Sequence, residues 1–446
     1  MAASGTASGA LNVSELIDNS PVRPLHITIF TLCALCMIMD GFDVQALGYV
    51  VPAIAAEWNV PPPAFAQVAA FSNFGVLTGQ LLFTMLADKI GRRPVLIGGA
   101  LFFSVMTILV GFANTIPQLL AIRFIAGMGL GSIIPNATAL IGEFAPRKVR
   151  VMLVTWLGVG FTAGAAMAGF VATWMLPRFG WRAVFYFGGA VPLVLAVVMI
   201  FLLPESLKLL VLSGRRSEYV AKWLKRIAPD APITPSTTFV VHEEKKSGVP
   251  IMHLFGDGRA MATILLWGVN FMNLLNLYSL SFWLPTVLRT AGYSQSTSLL
   301  VSTTLQVGGT LSPFLLAWLV VRRGFIPVLT VTLGIGAVAI AMIGQPGLSL
   351  VMLTMVVFVA GACVVGGQPS INALSATFYP TYLRSTGLGW ALGIGRAGSI
   401  VGPLVTAWFI SNQFTTQQIF FVLAVPALLS TMFIFMLSAS MKGLKA

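Results

Sequence analysis

The sequence predicts an all-α membrane protein with twelve transmembrane helices, arranged as two six-helix halves related by a parallel pseudo-two-fold repeat. Three observations predict this fold class. The 446 residues are 57% hydrophobic and only 9% charged, with a mean hydropathy of +0.91, which is not the composition of a soluble domain. Apolar runs of about 18 residues or more, long enough to cross a bilayer, recur along the chain. The two halves also match each other in sequence at a nearly constant spacing.

The apolar runs define the spans in order, six on each side of a polar segment. The predicted spans are 25–53, 64–87, 94–113, 116–140, 150–174, 181–203, 260–288, 296–320, 325–344, 348–370, 384–410 and 416–438. The first 24 residues lack the charged start and short apolar core of a signal peptide, so the run after Pro24 is expected to be a permanent helix. The predicted domains are an N-terminal tail (1–24), a bundle (25–204), a linker (205–259), a second bundle (260–438) and a C-terminal tail (439–446).

Within the linker, SEYVAKWLKRIA has the pattern of a short amphipathic helix, which we expect at the cytoplasmic surface. The segments PDAPITPSTTF and HEEKKSG have the composition of a flexible connection. The three cysteines lie inside apolar runs, and we interpret them as packing residues (Cys33, Cys36, Cys363).

The net charge of +13 reflects the placement of loops and does not indicate nucleic acid as a partner. Most lysines and arginines fall in one set of alternate loops, whereas the opposite loops carry only Arg178, Arg182 and Arg289. The positive-inside rule therefore predicts that the basic loops and both termini are cytoplasmic.

The repeat between the halves is parallel. A shift of 233 residues places Met39-Asp40 on Met272-Asn273 and LADKIGRRPVL on LVVRRGFIPVL. A shift of 234 residues places EFAPRKVR on TFYPTYLR, which pairs Arg150 with Arg384, and further on pairs Gly164 with Gly398. Because the spans match in the same orientation, the halves are expected to be related by an axis along the membrane normal.

The repeat also exposes an asymmetry of charge. Three acidic residues of the first half meet uncharged residues of the second (Asp40 and Asn273, Asp43 and Asn276, Glu143 and Thr377). The second half instead contains Arg396, within LGIGRAGSIVGP, at the position of Thr162. We infer titratable acids in the N-terminal half and a fixed cation in the C-terminal half that could hold an anion.

Asp40 and Asp43 lie in the middle of the first span, near one face of a helix. A carboxylate at this depth costs about 2.5–3.5 kcal/mol on insertion scales, and such residues normally mark ion or substrate handling. We expect both to take part in proton coupling; the alternative is that they only neutralise internal arginines. Arg123, in RFIAGMGLG, needs a partner among these acids or Glu143, and would tune their affinity for protons. We place Glu143 in the same set, although its position near a span end also suits a gate salt bridge.

LADKIGRRP, between spans 2 and 3, resembles the cytoplasmic signature of the major facilitator superfamily, Gly-x-x-x-Asp-x-x-Gly-Arg-Arg. Asp88, Gly91, Arg92 and Arg93 match it, and Thr84 replaces the first glycine. The resemblance implies the major facilitator fold and a cytoplasmic gate. We expect Asp88 to pair with Arg147 or Arg150 in one state and to release them in the other, with Arg384 as the counterpart in the second half. The alternative is plain anchoring of basic loops at the membrane.

DGFD in span 1, together with EFAPRKVR and the arginine of span 11, resembles the aromatic acid:proton symporter family of this superfamily. The resemblance spans the whole chain and implies a transporter of hydroxybenzoate- or protocatechuate-like acids in the bacterial inner membrane. Arg396 would bind the carboxylate as a planar, bidentate partner. Amides and aromatic side chains in pore-facing spans would complete the substrate site (Asn273, Asn276, Gln306, Gln368, Asn372, Phe42, Tyr278, Trp283, Trp390).

The expected function is proton-coupled import of an aromatic carboxylate by alternating access, with the proton as coupling ion and no other cofactor. A proton symporter for another small organic acid or a sugar is the alternative. An enzyme is not expected, because the three histidines lie outside the apolar runs and no Cys/His metal-ligand spacing occurs. We expect a monomer in the lipid bilayer.

Overall fold

The computed structural model describes residues 10–212, 214, 217–231, 233, 237–241, 251–380 and 382–443. The helices of the N-terminal half are α1 (Val13–Asn19), α2 (Pro24–Trp58), α3 (Ala66–Ile90), α4 (Arg92–Val110), α5 (Ile116–Gly131), α6 (Ile133–Phe144) and α7 (Arg150–Leu202). The linker contains α8 (Leu207–Leu212) and α9 (Ser217–Ile227). The C-terminal half contains α10 (Ala260–Thr290), α11 (Gln295–Arg323), α12 (Phe325–Ile343), α13 (Leu350–Val364), α14 (Gln368–Phe378), α15 (Arg384–Ser411) and α16 (Thr416–Gly443).

The long apolar helices provide twelve spans. Eleven helical segments of the described residues are long and apolar enough to cross a membrane, counting α5 with α6 and α13 with α14 as one span each. One of the eleven, α7, contains two spans, because Gly180 has φ 75° and ψ 176° and interrupts the helix. Glycine adopts this backbone conformation without the steric cost that a Cβ would bring. The predicted twelve-helix fold class is therefore confirmed.

The internal repeat appears in the interruptions and in the packing of the helices. The span of α5 and α6 breaks at Ser132, and the span of α13 and α14 breaks around Gly366, 234 residues later. A Cβ built on Gly164 would lie 1.8 Å from the Ile38 carbonyl oxygen, and one on Gly398 would lie 2.3 Å from that of Phe271. Equivalent glycines thus allow equivalent close contacts, of α7 with α2 and of α15 with α10.

The two halves meet at one end of the bundle and separate at the other. We call the end where α2 begins and α16 ends the terminal face. Toward the opposite face, one apolar core contains residues of both halves, among them Val50, Phe65, Trp283 and Phe420. Toward the terminal face, each half has a core of its own. The halves therefore enclose a space that is closed at the opposite face and open toward the terminal face.

The N-terminal segment and the linker pack together on the N-terminal half. Strand β1 (Ala10–Asn12) pairs in parallel with β2 (Thr238–Val240) of the linker. The apolar face of the predicted amphipathic helix, now α9, is buried in the core of this half through Val220, Leu224 and Ile227. Part of PDAPITPSTTF, predicted to be flexible, forms β2, because strand β1 supplies its backbone partners. HEEKKSG lies outside the described residues.

Replacing Gly164 by Ala should lower the melting temperature of the detergent-solubilised protein by several degrees. The new methyl group would overlap the backbone of α2, and overpacking of this kind costs about 1–3 kcal/mol. Gly158→Ala is the matched control, because it lies on the same helix and a Cβ there would meet no atom within 4 Å. Equal melting temperatures for the two variants would contradict this packing.

Candidate functional site

A cavity of about 420 Å³ lies between the halves, in the middle of the bundle. Residues of α2, α3, α5, α6 and α7 line it on one side, and residues of α10, α11, α14 and α15 on the other. Gln80, Gly158 and Gly389 line it nearest the terminal face, whereas Gln45, Gln306 and Pro403 lie toward the closed end. The cavity is mostly apolar, so its few polar groups are the ones that can orient a ligand.

Arg396 of α15 faces this cavity and is half-buried. Its Nη1 donates a hydrogen bond to the hydroxyl oxygen of Tyr278, at 3.1 Å. Within the part of the chain that the structure describes, Arg396 forms no ion pair, while Arg123 does. A guanidinium held in place by a neutral phenol, at the wall of an apolar cavity, is suited to bind a carboxylate.

Asp43 and Arg123 form an ion pair inside the N-terminal half. Arg123 Nη1 lies 2.7 Å from Asp43 Oδ2, and the Thr107 hydroxyl donates to Asp43 Oδ1 at 2.6 Å. Arg123 Nη2 also reaches the Asp43 carbonyl oxygen, at 3.3 Å, and Ser72 Oγ, at 3.4 Å. Both charged side chains are almost completely buried and each balances the charge of the other, as the sequence required of an intramembrane arginine, although Arg123 Nε has no hydrogen-bond partner among the described residues.

Asp40 is in a different position from Asp43, although the two are three residues apart. It is buried, with 2% of its surface exposed, and its Oδ2 has no hydrogen-bond partner in the described structure. Two charged groups act on it electrostatically, Arg396 of the opposite half and Asp43. Among the described residues, Asp40 is thus the mid-membrane acid without an ion-pair partner.

Four amide side chains of the C-terminal half form a connected network at the cavity wall and directly behind it. Gln368 accepts a hydrogen bond from Asn273 at 2.7 Å and donates to Asn372 at 2.8 Å and to Asn270 at 3.3 Å. Gln368 and Asn372 line the cavity, while Asn273 is turned away from it and donates to the Val364 carbonyl oxygen. Asn273 therefore positions Gln368 and does not itself face a ligand, which corrects its predicted role.

Three further predicted contacts lie outside the cavity wall. Asn276 is fully buried within the C-terminal half, and both of its amide atoms lack a partner among the described residues. Phe42 packs on Phe187 inside the N-terminal half, with ring centroids 5.6 Å apart. Trp283 is buried and donates to the Pro403 carbonyl oxygen at 2.9 Å. A helix exposes only one side to the cavity, and these positions lie on other sides of α2 and α10.

Among the aromatic residues of the predicted substrate site, Tyr278 lines the cavity. Trp390 stacks on Trp267, with centroids 5.9 Å apart, is 46% exposed, and does not line the cavity. Its predicted substrate contact therefore finds no support in this conformation, as for Phe42, because aromatic residues in a membrane helix also serve packing and the lipid-facing surface.

Hydrogen bonds connect the two halves at the closed end of the cavity. Gln45 Nε2 donates to the Ser281 carbonyl oxygen at 2.6 Å. Gln306 Nε2 donates to Ser281 Oγ at 2.8 Å and to Gln45 Oε1 at 3.3 Å. The sequence analysis identified Gln306 but missed Gln45, although the same signal applied, an amide inside an apolar run where hydrocarbon offers it no partner.

The predicted gate residues lie at the terminal face, where Glu143 joins them. Arg92 Nε lies 3.1 Å from Glu143 Oε1, so Glu143 belongs to this network and not to the mid-membrane acids with which it was grouped. The backbone N–H groups of Arg92 and Arg93 donate to Glu205 Oε1 at 3.0 and 3.2 Å. A Cβ at Gly91 would lie 2.2 Å from Glu205 Oε2, so the glycine of the motif makes room for this carboxylate.

Glu205 and Ser206 bind the predicted gate residues and were missed by the sequence analysis. Ser206 donates a hydrogen bond to Glu143, and Glu205 caps the first turn of α4, where unpaired N–H groups attract an anion. Both belong to the triplet PES at 204–206, directly after α7, which was their signal in the sequence.

The expected latch between Asp88 and the arginines is open in this conformation. Asp88 is exposed and has no ion-pair partner in the described ranges, and Arg150 pairs with Asp18 of the N-terminal segment instead. The backbone N–H of Arg147 donates to the Asp18 carbonyl oxygen at 3.2 Å, and Arg384 is exposed at the start of α15. Asp18 of the N-terminal segment therefore binds Arg150, the arginine that Asp88 would need as a partner.

Comparison with known proteins assigns the chain to a family. The sequence profile of the Major Facilitator Superfamily matches residues 33–395 and, a second time, residues 266–443. The chain is 35% identical to the 4-hydroxybenzoate transporter PcaK of Pseudomonas aeruginosa, over 94% of each chain. It is 33% identical to the benzoate transport protein of Acinetobacter baylyi, over 97% of this chain and 93% of that protein. It is 32% identical to the gallate transporter of Pseudomonas putida, over 94% of this chain and 93% of that protein.

Solved structures with the same fold include the xylose transporter XylE from Escherichia coli in a partially occluded inward open conformation. That structure has a TM-score of 0.72 and 18% identity, over 92% of this chain and 97% of that one. A bacterial homologue of the lysosomal transporter Spinster, in an inward-facing conformation, has a TM-score of 0.69 and 18% identity, over 94% and 98%. These structures show the fold, and the profile and the closer relatives show that this protein belongs to the major facilitator superfamily, in the branch of these aromatic acid transporters.

Proposed function

We propose that this protein imports an aromatic carboxylate across the bacterial inner membrane together with protons, by alternating access. The observation that carries the proposal is Arg396, a cation on the wall of the central cavity that has no carboxylate partner among the described residues. The relatives are named as transporters of 4-hydroxybenzoate, benzoate and gallate, which supports a benzoate-like anion as the partner of Arg396. The superfamily transports solutes, so the protein is not an enzyme.

Asp40 is the proposed proton carrier. Charging a buried carboxylate without a partner is costly, and taking up a proton removes that cost. Asp43, in contrast, has its charge balanced by Arg123 at 2.7 Å, so it is not the proposed carrier. Because Asp40 lies within the electrostatic reach of Arg396, an anion bound to Arg396 would change the balance of charge around Asp40. This proximity gives a physical route from substrate binding to proton binding.

The conformation is interpreted as inward-open. The basic loops lie at the terminal face, and the positive-inside rule makes that face, with both termini, cytoplasmic. The cavity opens toward the same face, which would let substrate and proton leave into the cytoplasm. In the outward-open state the halves would rock so that the cavity faces the periplasm. The proton gradient would drive uptake, and the membrane potential would add about 2.3 kcal/mol per 100 mV only for each net positive charge that enters beyond the one balanced by the carboxylate.

Asp40→Asn should abolish accumulation of labelled 4-hydroxybenzoate in proteoliposomes driven by a proton gradient, because the neutral amide cannot carry the proton. Exchange of labelled for unlabelled substrate should persist, because it needs no net proton movement. The matched control is Asp257→Asn, an equally conservative change at a residue whose side chain is 74% exposed. Uncoupler-sensitive accumulation by the Asp40 variant at the wild-type level would overturn the assignment.

Asp43→Asn should instead act on stability, because it leaves the Arg123 guanidinium buried and unpaired. Breaking one side of a buried ion pair costs about 3–5 kcal/mol, so we expect a clear fall in the melting temperature of the purified protein. Adding Arg123→Gln should recover part of the loss, since the double variant has no buried charge at this place. A wild-type melting temperature for the single variant would mean that the pair does not support the fold.

Arg396→Gln should raise the KM for 4-hydroxybenzoate about 30-fold or more. Removing one partner of a buried, hydrogen-bonded charge pair costs about 2–5 kcal/mol, and the neutral amide cannot replace the bidentate cation. Arg322→Gln, at an exposed arginine packed over the Trp318 ring, is the control for the general effect of lost charge. An unchanged KM in initial-rate uptake assays would remove Arg396 from the site.

A further inference from the structure

We propose that Gln45, Ser281 and Gln306 bind a ring hydroxyl of the substrate, so that the contact closing the cavity also selects hydroxylated aromatic acids. The inference rests on the proposed function, because it needs an aromatic carboxylate held at Arg396. The three residues come from both halves, Gln45 from α2 and the other two from α10 and α11. All three line the cavity and are less than a tenth exposed.

The hydrogen bonds within this cluster leave specific groups unused. Gln45 Nε2 donates to the Ser281 carbonyl oxygen, and Gln306 Nε2 donates to Ser281 Oγ and Gln45 Oε1. Within the described residues, nothing donates to Gln306 Oε1, and the Ser281 hydroxyl hydrogen and the second Gln45 amide hydrogen have no acceptor. One acceptor and two donors therefore remain available at the cavity wall.

A phenolic hydroxyl complements these groups, because it donates one hydrogen bond and accepts another. It could donate to Gln306 Oε1 and accept from Ser281 Oγ or Gln45 Nε2. A carboxylate at this place could accept from the two free donors, but it has no hydrogen to donate to Gln306 Oε1, and its negative charge would face that oxygen unfavourably. The chemistry of the cluster thus favours a hydroxyl over a second acidic group.

The spacing along α10 places the two ends of the substrate. Tyr278, the partner of Arg396, and Ser281 are three residues apart and both line the cavity, so they lie on the same side of α10 about 4.5 Å apart along its axis. The carboxylate would lie at Arg396 and the hydroxyl about 4.5 Å farther along α10 toward the closed end. This arrangement fits a ring with its hydroxyl para or meta to the carboxylate. A hydroxyl adjacent to the carboxylate could not reach the cluster.

The same contacts also respond to the conformation of the transporter. Gln45 moves with the N-terminal half, whereas Ser281 and Gln306 move with the half that contains Arg396. When the halves separate at the closed end, Gln45 leaves and its partners on the other half become free to bind the hydroxyl. When the halves close again, Gln45 returns to Gln306 Nε2, and Gln306 Oε1 stays available to the hydroxyl.

The test compares uptake of 4-hydroxybenzoate, 2-hydroxybenzoate and unsubstituted benzoate in proteoliposomes, as the ratio of their kcat/KM values. Ser281→Ala and Gln306→Leu should each lower the preference for 4-hydroxybenzoate over benzoate about ten-fold, the loss expected for one hydrogen bond of about 1.4 kcal/mol. Ser281→Ala keeps the backbone carbonyl that Gln45 uses, so it should fold. The kcat/KM for 2-hydroxybenzoate relative to benzoate should not change.

Gln345→Leu is the matched control, because Gln345 accepts a hydrogen bond from Gln417 at 3.1 Å in a similar amide pair outside the cavity. It should leave the preference for 4-hydroxybenzoate at the wild-type value. The inference is overturned if Ser281→Ala and Gln306→Leu transport with the wild-type preference, since the cluster would then only hold the halves together. If the wild-type protein takes up none of the three acids, the proposed function itself fails, and the inference fails with it.

Discussion

The buried ion pair between Asp43 and Arg123 determines how charge is distributed within the membrane-spanning part of the N-terminal half. Hydrocarbon offers no partner to a charged group, so each charge must be balanced inside the protein. Arg123 and Thr107 satisfy both carboxylate oxygens of Asp43, which leaves the neighbouring Asp40 without a cation in its own half. The cation that acts on Asp40 electrostatically is Arg396, in the opposite half. Electrostatic coupling between the halves follows from this distribution.

The parallel repeat explains why the two halves have the same helices but different chemistry. Equivalent glycines, such as Gly164 and Gly398, keep the packing of α7 on α2 like that of α15 on α10. At the positions of the acids the second half has amides, and these build a neutral network around Gln368. In the proposed mechanism, one half handles protons while the other holds an anion, and the cavity at their interface brings the two functions together.

Rocking of the halves requires contacts that can form and break at each end. Toward the closed end these include hydrogen bonds of Gln45 with Ser281 and Gln306, and one from Asn73 to the Ser399 carbonyl oxygen, all between uncharged groups. At the terminal face, charged residues bind within the N-terminal half, where Glu205 and Glu143 hold the loop of Arg92. The N-terminal segment adds Asp18 as a partner of Arg150, so a segment that precedes the membrane domain takes part in the gate.

The sequence by itself determined the twelve spans, the parallel repeat and the family. It also determined that the mid-span acids belong to the first half and Arg396 to the second. These properties depend on hydropathy, spacing and local motifs, which are written directly in the chain. Only the tertiary structure decided which acid Arg123 pairs with, that Glu143 joins Arg92, and that Phe42, Trp283, Trp390 and Asn276 do not face the cavity. A residue's depth follows from its place in a span, but the direction it faces depends on helix rotation and packing against distant segments. That long-range geometry is absent from any local pattern, and it also places α9 and β2 on the N-terminal half.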